Sequence, residues 1–528
     1  MKKILFILVI SLLSVSSFAA NYPLDIINVD EVGANNRIKF AYPGIEYKVV
    51  ISAFGGTYPF TWELTTAPSG MVINPDTGEI SWPNPLVSGS PHSVTVKVTD
   101  SESSTDIESY TVTVTDSTDR FLFVDIANGN SGNTGTILSP LAILDDFWLS
   151  DHTGKIVYFR TGTYLFPKNG GSNDRHTARV PISSTNPLAY LGYPGETVTM
   201  NGQSEVDNAG IFGYCWYTTQ NDTYFENTTF NNTYFYSLTY ATSDYSTIYN
   251  CTFSNMLSVL TPPADGHNQS HINSAEGDLL LNMVVHKNTF LSAFQESHSY
   301  AIMAYSNRYL VVQDNSVSGQ YGGGFFLKFG NDHVAIRHNE FSNTQTGFSG
   351  QQIGVYNDEQ DIEICFNFFS NHATALYFED TRDITTPGAQ DNNFIYRNTF
   401  YNAAIHFRAN RDLNSYKVGG HITTTNIMQN ELLDTGTPSV SDSDFVRNHI
   451  QYDNVTLDEY NRIISDQSDN LTGVAADNIV DSDGLLIGSY RDTYLGTIGW
   501  ETACNVTVIS ATGTTGISLT GTTTIEAD

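Results

Sequence analysis

Between residues 227 and 432, short apolar runs recur, each closed by an aromatic or aliphatic residue just after an asparagine. They read Asn227-Thr-Thr-Phe230, Asn250-Cys-Thr-Phe253, Asn288-Thr-Phe290, Asn315-Ser-Val317, Asn339-Glu-Phe341, Asn367-Phe-Phe369, Asn398-Thr-Phe400 and Asn430-Glu-Leu432. The closing residues lie between 23 (Phe230 to Phe253) and 37 (Phe253 to Phe290) positions apart. A strand-rich unit of this size, irregularly padded, predicts a solenoid in which each coil buries its apolar side only by stacking on its neighbours. Coils stacked at the inter-strand spacing of about 4.8 Å put equivalent side chains in ladders, so a site can be read down a column.

A second strand follows each of these runs after a short turn: Ala301–Tyr305, Gly324–Lys328, Gln352–Tyr356, Ala375–Glu379 and Ala404–Arg408. Strand alternation divides their side chains into two sets. Ile302, Phe325, Ile353, Leu376 and Ile405 form one inward column, and Ala304, Leu327, Val355, Phe378 and Phe407 form the other. All ten are apolar, which supports the register. The outward columns are then Met303, Phe326, Gly354, Tyr377, His406 and Tyr305, Lys328, Tyr356, Glu379, Arg408. Tyr, Lys, Tyr, Glu and Arg on successive coils make a chemically loaded stripe. Its steps are close to the length of one sugar residue. The plainer alternative is a decorated surface with an exposed Glu379–Arg408 ion pair of little energetic weight.

Residues 20–117 follow a different pattern. Short alternating runs such as Tyr47–Ala53, Phe60–Leu64, Glu79–Trp82, Ser93–Thr99 and Tyr110–Thr115 are divided by turn signals at Gly55-Gly56, Pro68-Ser-Gly70 and Pro75-Asp-Thr-Gly78. That is the pattern of a β-sandwich. Gly55–Trp62, Pro68–Met71, Asp76–Trp82 and Val98–Asp100 resemble the Ig, cadherin-like modules of secreted bacterial proteins, which act as spacers or carbohydrate-binding appendages. Trp62 and Trp82 are expected in the core of that module.

Composition narrows the function. The 528 residues carry 24 Lys plus Arg against 56 Asp plus Glu, a net charge of −32. That balance excludes nucleic acid as a partner, because its phosphates would be repelled. It suits calcium or a salty medium, and a polyanionic substrate would need a local basic patch or a metal. Met1-Lys2-Lys3, the apolar run Ile4–Leu13 and Ser17-Phe18-Ala19 have the layout of a secretory signal peptide over 1–19, too short to span a bilayer. The expected mature protein is therefore secreted, without a membrane span, and monomeric. Cys215, Cys251, Cys365 and Cys504 are scattered, and Cys251 and Cys365, inside apolar runs, are expected as buried thiols.

From residue 118 the chain runs through Val124–Asn130, Ser139–Leu144, Ile156–Tyr164 and Tyr190–Val198, and later through Gly488–Arg491 and Gly496–Glu501. This succession resembles the opening and closing turns of pectate-lyase-like right-handed β-helices, with a capping helix at Ile143–Trp148. The expected fold is thus all-β: an Ig-like β-sandwich at 20–117, then a right-handed parallel β-helix at 118–505, and a Thr/Gly-rich strand or tail at 506–528.

Lys328 is the sharpest candidate for chemistry. Eliminative cleavage of a uronate polymer needs a base for the proton beside the carboxylate and a cation for the enolate-like charge that develops. A lysine between Phe326 and Phe329 can have its pKa lowered toward a working base by desolvation. Gly323–Lys328 resembles the catalytic-lysine segment of family-nine pectate lyases and the lysine strand of family-six alginate lyases. The chain departs from both: no Asp-Asp pair follows the lysine, and Tyr356 stands where the alginate lyases place an arginine.

These resemblances imply a polysaccharide lyase acting on an acidic polysaccharide, with Lys328 as base. Tyr305 or Tyr356 is the candidate proton donor, and Arg408, three coils on and about 14 Å away, completes the candidate catalytic set. His406, Tyr377, Glu379, His298 and Tyr300 are the candidate substrate contacts. The loop Thr261–Asp278 offers Asp265, Glu276 and Asp278, with His267 and His271, as candidate calcium ligands. Two alternatives stay open. One is a glycoside hydrolase using paired carboxylates among Asp358, Glu379, Asp380 and Asp383. The other is a non-catalytic carbohydrate-binding or adhesin protein.

Overall fold

The computed structural model describes residues 22–432 apart from gaps of one to three positions and the segments 144–151, 166–177, 180–188, 203–213, 257–268, 275–279, 292–298, 343–350, 381–392, 410–415 and 424–427. The strands Leu471–Thr472, Cys504–Val506 and Thr523–Ile525 are also described. The signal-peptide segment, residues 144–148 of the expected capping helix, the closing turns at 488–501, and His298, Asp265, His267, Glu276, Asp278, Asp358 and Asp383 lie outside the described residues. No helix among the described residues is long and apolar enough to cross a membrane.

The N-terminal module is a two-sheet sandwich. Phe40–Ala41, Thr105–Val114, His92–Thr99 and Thr61–Thr66 form one sheet, and Tyr47–Val50, Glu79–Trp82 and Val72–Ile73 the other. Alternation decides which residues face inward: Val94, Val96 and Val98 are buried while their neighbours are not. Trp62 and Trp82 are buried in this core, as expected.

From Phe121 onward the chain winds into coils of three strands. In one coil Asn307–Gln313 forms the first face, Ser316–Ser318 the second and Gly323–Lys328 the third. Each strand pairs in parallel with its counterpart on the next coil. The first face is a sheet of eleven described strands, from Phe121–Val124 to Tyr416–Gly419. Parallel strands joined by crossovers take the right-handed sense, and the architecture is a right-handed parallel β-helix behind an Ig-like module.

Asparagine fixes the first corner. Asn288, Asn315, Asn339, Asn367 and Asn398 stack coil on coil. Each Oδ1 accepts the backbone N–H of the asparagine one coil earlier, at 2.8–3.0 Å, from Asn315 through Asn398. The Nδ2 of that earlier asparagine donates to the same Oδ1, so the column is continuous. Before the first four sits a residue in the left-handed region: Lys287, Asp314, His338 and Phe366. The closing aromatics stack inside, Phe253 on Phe290 at 5.0 Å and Phe341 on Phe369 at 5.1 Å.

The repeat needs two corrections. Asn227 and Asn250 occupy the left-handed position (both φ +52°), and the ladder position after Asn250 is Cys251, whose N–H donates to Asn288 Oδ1. The extra residue in Asn250-Cys-Thr-Phe253 compared with Asn288-Thr-Phe290 carries this shift. Asn430 is in another column altogether, paired with Phe407 on the third face, and Thr423 continues the Phe400 column. Cys251 and Cys365 are buried free thiols, as expected.

The sandwich is not a loose spacer. It packs along the outer side of the first-face sheet, and one apolar cluster joins Val49, Phe54, Tyr58 and Trp82 of the module to Phe123, Tyr158, Tyr224, Tyr249, Val311 and Phe366 of the coils. Polar contacts cross the same seam. Asn282 Nδ2 donates to Ile27 O at 3.0 Å, and Gly33 N to Asp222 Oδ1 at 2.9 Å. Lys287 pairs with Glu79 at 2.7 Å, and Arg37 stands 3.7 Å from Glu226. Arg337, fully buried, donates to Ala53 O and lies over the rings of Tyr58 and Phe60.

Two measurements follow. Asn339→Ala strips partners from the Asn315 and Asn367 side chains and from the carbonyls of Val312 and Arg337. It is expected to cost about 2–4 kcal/mol, since buried groups left unpaired carry their full desolvation penalty; an unchanged urea midpoint would refute the ladder's structural role. Burial pushes the Glu226 carboxyl from 4.5 up to about 7, against the opposing pull of Arg37. Its folded form therefore holds a proton that the unfolded form has released, and its contribution is lost as pH rises through that interval. Glu226→Gln is expected to flatten the decline in melting temperature between pH 5 and 7; a decline as steep as wild type would exclude Glu226 as its source.

Candidate functional site

The register on the third face is the one the alternation implies. Tyr305 pairs with Lys328, Lys328 with Tyr356, Tyr356 with Glu379 and Glu379 with Arg408. Met303, Phe326, Gly354, Tyr377 and His406 form the neighbouring column. The inward partners Ile302, Phe325, Ile353 and Leu376 are buried in the coil core. All five residues of the loaded stripe therefore stand on one face, and Arg408 is three coils from Lys328.

The wall is less open than an exposed stripe suggests. Met303 is buried, and Tyr305 is 7% exposed. Tyr300, Met303, Tyr305 and Phe326 form an apolar cluster of their own outside the coil core, flanked by Tyr236 and Tyr356. Tyr300 and Phe326 approach at 4.6 Å between centroids, Phe326 and Tyr356 at 4.8 Å, and Tyr356 and Tyr377 at 5.4 Å. Burial holds the Tyr300 hydroxyl well above its ordinary value, so it stays protonated. Gly354 makes room for this stack, since a Cβ there would lie 2.6 Å from Cε2 of Tyr356.

Lys328 closes the strand at the edge of this cluster, half-buried, with Nζ 4.6 Å from the Phe329 centroid and 6.0 Å from that of Phe326. The Phe329 ring stacks on Tyr305 at 5.6 Å and 22°. A second polar ladder holds the turn that follows. Asn331 Nδ2 donates to the carbonyls of Ala304 and Lys328, and its Oδ1 accepts the Asn307 N–H. The carboxyl of Glu359 accepts from Gly330 N at 3.2 Å and Asn331 N at 2.9 Å. Burial raises the Glu359 pKa well above the usual carboxylate range. Sequence reading missed Glu359 and Asn331. The one available signal was Gly330-Asn331 directly after the lysine, a turn pair that needs an anchor.

Two other candidates resolve differently. His271 belongs to the strand Gln269–Ser274 and not to a loop over the cleft: its ring lies against Phe253 and Phe290 inside the coil, with Nδ1 2.9 Å from Ser237 Oγ. Burial lowers its pKa to about 3, so it is a neutral core histidine. Among the described residues a grouping of metal-ligand type occurs at Asp332, His333 and Asp361. It sits on the first face beside Tyr22, and Arg308 already pairs with Asp332 at 3.0 Å. That is an ion-pair network at the module seam.

Residues 31–115 match the family described as Putative Ig domain. No curated protein matches the sequence. Among solved structures the chain is similar to the pectate lyase Pel9A, at 13% identity and a TM-score of 0.44, over 62% of this chain and 83% of that one. It is also similar to a rhamnogalacturonan lyase, at 13% identity and a TM-score of 0.37, over 69% and 91%. The tailspike of E. coli bacteriophage HK620 matches at 13% identity and a TM-score of 0.41, over 55% and 54%. Likenesses at this level transfer no activity. The architecture rests on the strand register described above, and it defines the class: a parallel β-helix carrying an N-terminal Ig-like module.

Gly354→Ala is expected to push the Tyr356 ring away from Phe326 at a cost below about 1.5 kcal/mol, because the ring is a movable obstacle. A crystal structure of the variant with Tyr356 in place would refute this account of the glycine.

Proposed function

We propose that the protein is a secreted polysaccharide lyase that cleaves an acidic, uronate-containing polysaccharide by β-elimination. What carries this reading is the column in which Lys328 stands between Tyr305 on the preceding coil and Tyr356 on the next. Elimination breaks the C–H bond beside the carboxylate and the C–O bond to the leaving sugar, and forms a C=C bond between them. Lys328 takes the carbon-bound proton, and the cation so formed faces the enolate-like charge. Tyr305 or Tyr356 gives a proton to the leaving oxygen. A tyrosine one coil from the lysine is about 4.8 Å along the face, close to one sugar residue.

Arg408, three coils on and so about 14 Å from Lys328, serves a sugar further along the chain, with His406, Tyr377 and Glu379 as neighbours. Tyr300 and His298 are assigned to the preceding coil's end of the cleft. A chain of net charge −32 binding a polyanion gains from a bridging cation. Calcium held by Asp265, Glu276 and Asp278 is the assignment made for it.

A panel of algal and plant polyuronates is expected to yield unsaturated ends, read as a gain in ultraviolet absorbance. New reducing ends without that gain would make the protein a hydrolase working through paired carboxylates, and neither product would make it a binder. Lys328→Ala is expected to lower the elimination rate about 10²- to 10⁴-fold, while the loss of a cation–ring contact costs less than about 1 kcal/mol of stability. Full activity in that variant removes the lysine from the chemistry. Chelation followed by calcium tests the metal, and a rate indifferent to both rules it out.

A further inference from the structure

Phe329 does something its neighbours do not. It is 41% exposed, although Tyr305 and Phe326 beside it are nearly buried. Its backbone lies at φ +66°, in the left-handed region where a bulky side chain is strained. One coil earlier Ser306 makes the same turn at φ +53°, and its Oγ donates to Phe329 O at 2.9 Å. The turn, which serine makes equally well, does not call for an aromatic ring that is 41% exposed. The ring is braced from the side by Tyr305, and the Lys328 ammonium lies 4.6 Å from its centroid.

We propose that Phe329 is a sugar platform which, with Lys328, forms one subsite for a single uronate residue. The carboxylate pairs with the ammonium, the form of Lys328 that binds, while the deprotonated amine of the same residue is the form that takes the carbon-bound proton. The apolar C–H face of the pyranose lies on the ring. Charge and shape select together: a neutral hexose leaves the ammonium without an anion, and an acyclic or small anion leaves the ring uncovered. In the free protein the ring itself holds the ammonium by attraction to its π face. A bound carboxylate takes the ammonium over and uncovers the ring for the sugar. This subsite rests on the polyuronate reading above and adds to it a residue that takes no part in proton transfer.

The test is calorimetric titration of the full chain with galacturonate and guluronate hexamers, using wild type, Phe329→Gly, Phe329→Asn and Phe329→Trp. Glycine and asparagine tolerate the left-handed backbone, so both are expected to melt within a few degrees of wild type. Both are expected to bind the preferred hexamer about 5- to 10-fold more weakly, the scale of a lost aromatic contact, and tryptophan to restore the affinity. Wild-type affinity in the glycine and asparagine variants would overturn the platform and leave the lyase reading intact. Weakened binding accompanied by a large fall in melting temperature would assign Phe329 a structural role instead. Failure of wild type to bind either hexamer would remove the polyuronate reading and this subsite together.

Discussion

The register between coils is the constraint on which everything else in this protein depends. Backbone pairing alone lets one coil slide along the next, and a slip of a single residue would turn every inward side chain outward. The asparagine column prevents this, because each amide reaches back to satisfy both a backbone N–H and a carbonyl of the preceding coil. These groups are buried at a corner, where no strand partner is available and an unpaired N–H is costly. The second ladder, Asn307 to Asn331 to Glu359, does the same at the corner after the third face. The two ladders bracket the first-face strand Asn307–Gln313, and the second of them also holds the turn that directly follows Lys328.

The Ig-like module completes the fold from outside. On the first face the outward residues Tyr158, Tyr249, Val311 and Ala335 are as apolar as the inward Phe159, Ile248, Val312 and Ile336, so that sheet is buried on both sides. Parallel sheets covered on both faces read as unbroken hydrophobic runs. Ile156-Val-Tyr-Phe159 and Leu310-Val-Val312 are such runs, whereas third-face strands carry the charged residues Lys328, Glu379 and Arg408 at or next to their ends. The difference was visible in the sequence as a sign that something must cover the first face. What covers it, and that Arg337 and Glu226 would be buried at the seam, required the folded chain.

At the site, periodicity carried the inference a long way. Ten apolar residues at alternate positions fixed which side chains face out, and the pairings of Tyr305, Lys328, Tyr356, Glu379 and Arg408 follow that order. Alternation says nothing about what lies above a face, and so Met303 and Tyr305 were read as exposed although they are enclosed by neighbouring rings. The same limit explains His271, which falls in the long interval between two repeats and whose ring is in fact packed against core phenylalanines.

By itself the sequence determined the coil repeat, the faces of each strand and the order of side chains up the stripe, because these depend on periods of two residues and of one coil. It also determined the two-part organisation, since the sandwich and the helix differ in period and in turn residues. The tertiary structure alone decided which asparagine of each repeat enters the ladder, because a one-residue shift to the left-handed position leaves the motif nearly unchanged to the eye. It alone decided that the module and the helix share one apolar interface, and that the turn after Lys328 is tied down by a buried carboxyl 31 residues later in the chain, at Glu359. Such contacts join residues far apart in sequence through stacking, and stacking distance is set by the wound chain and not by any local pattern.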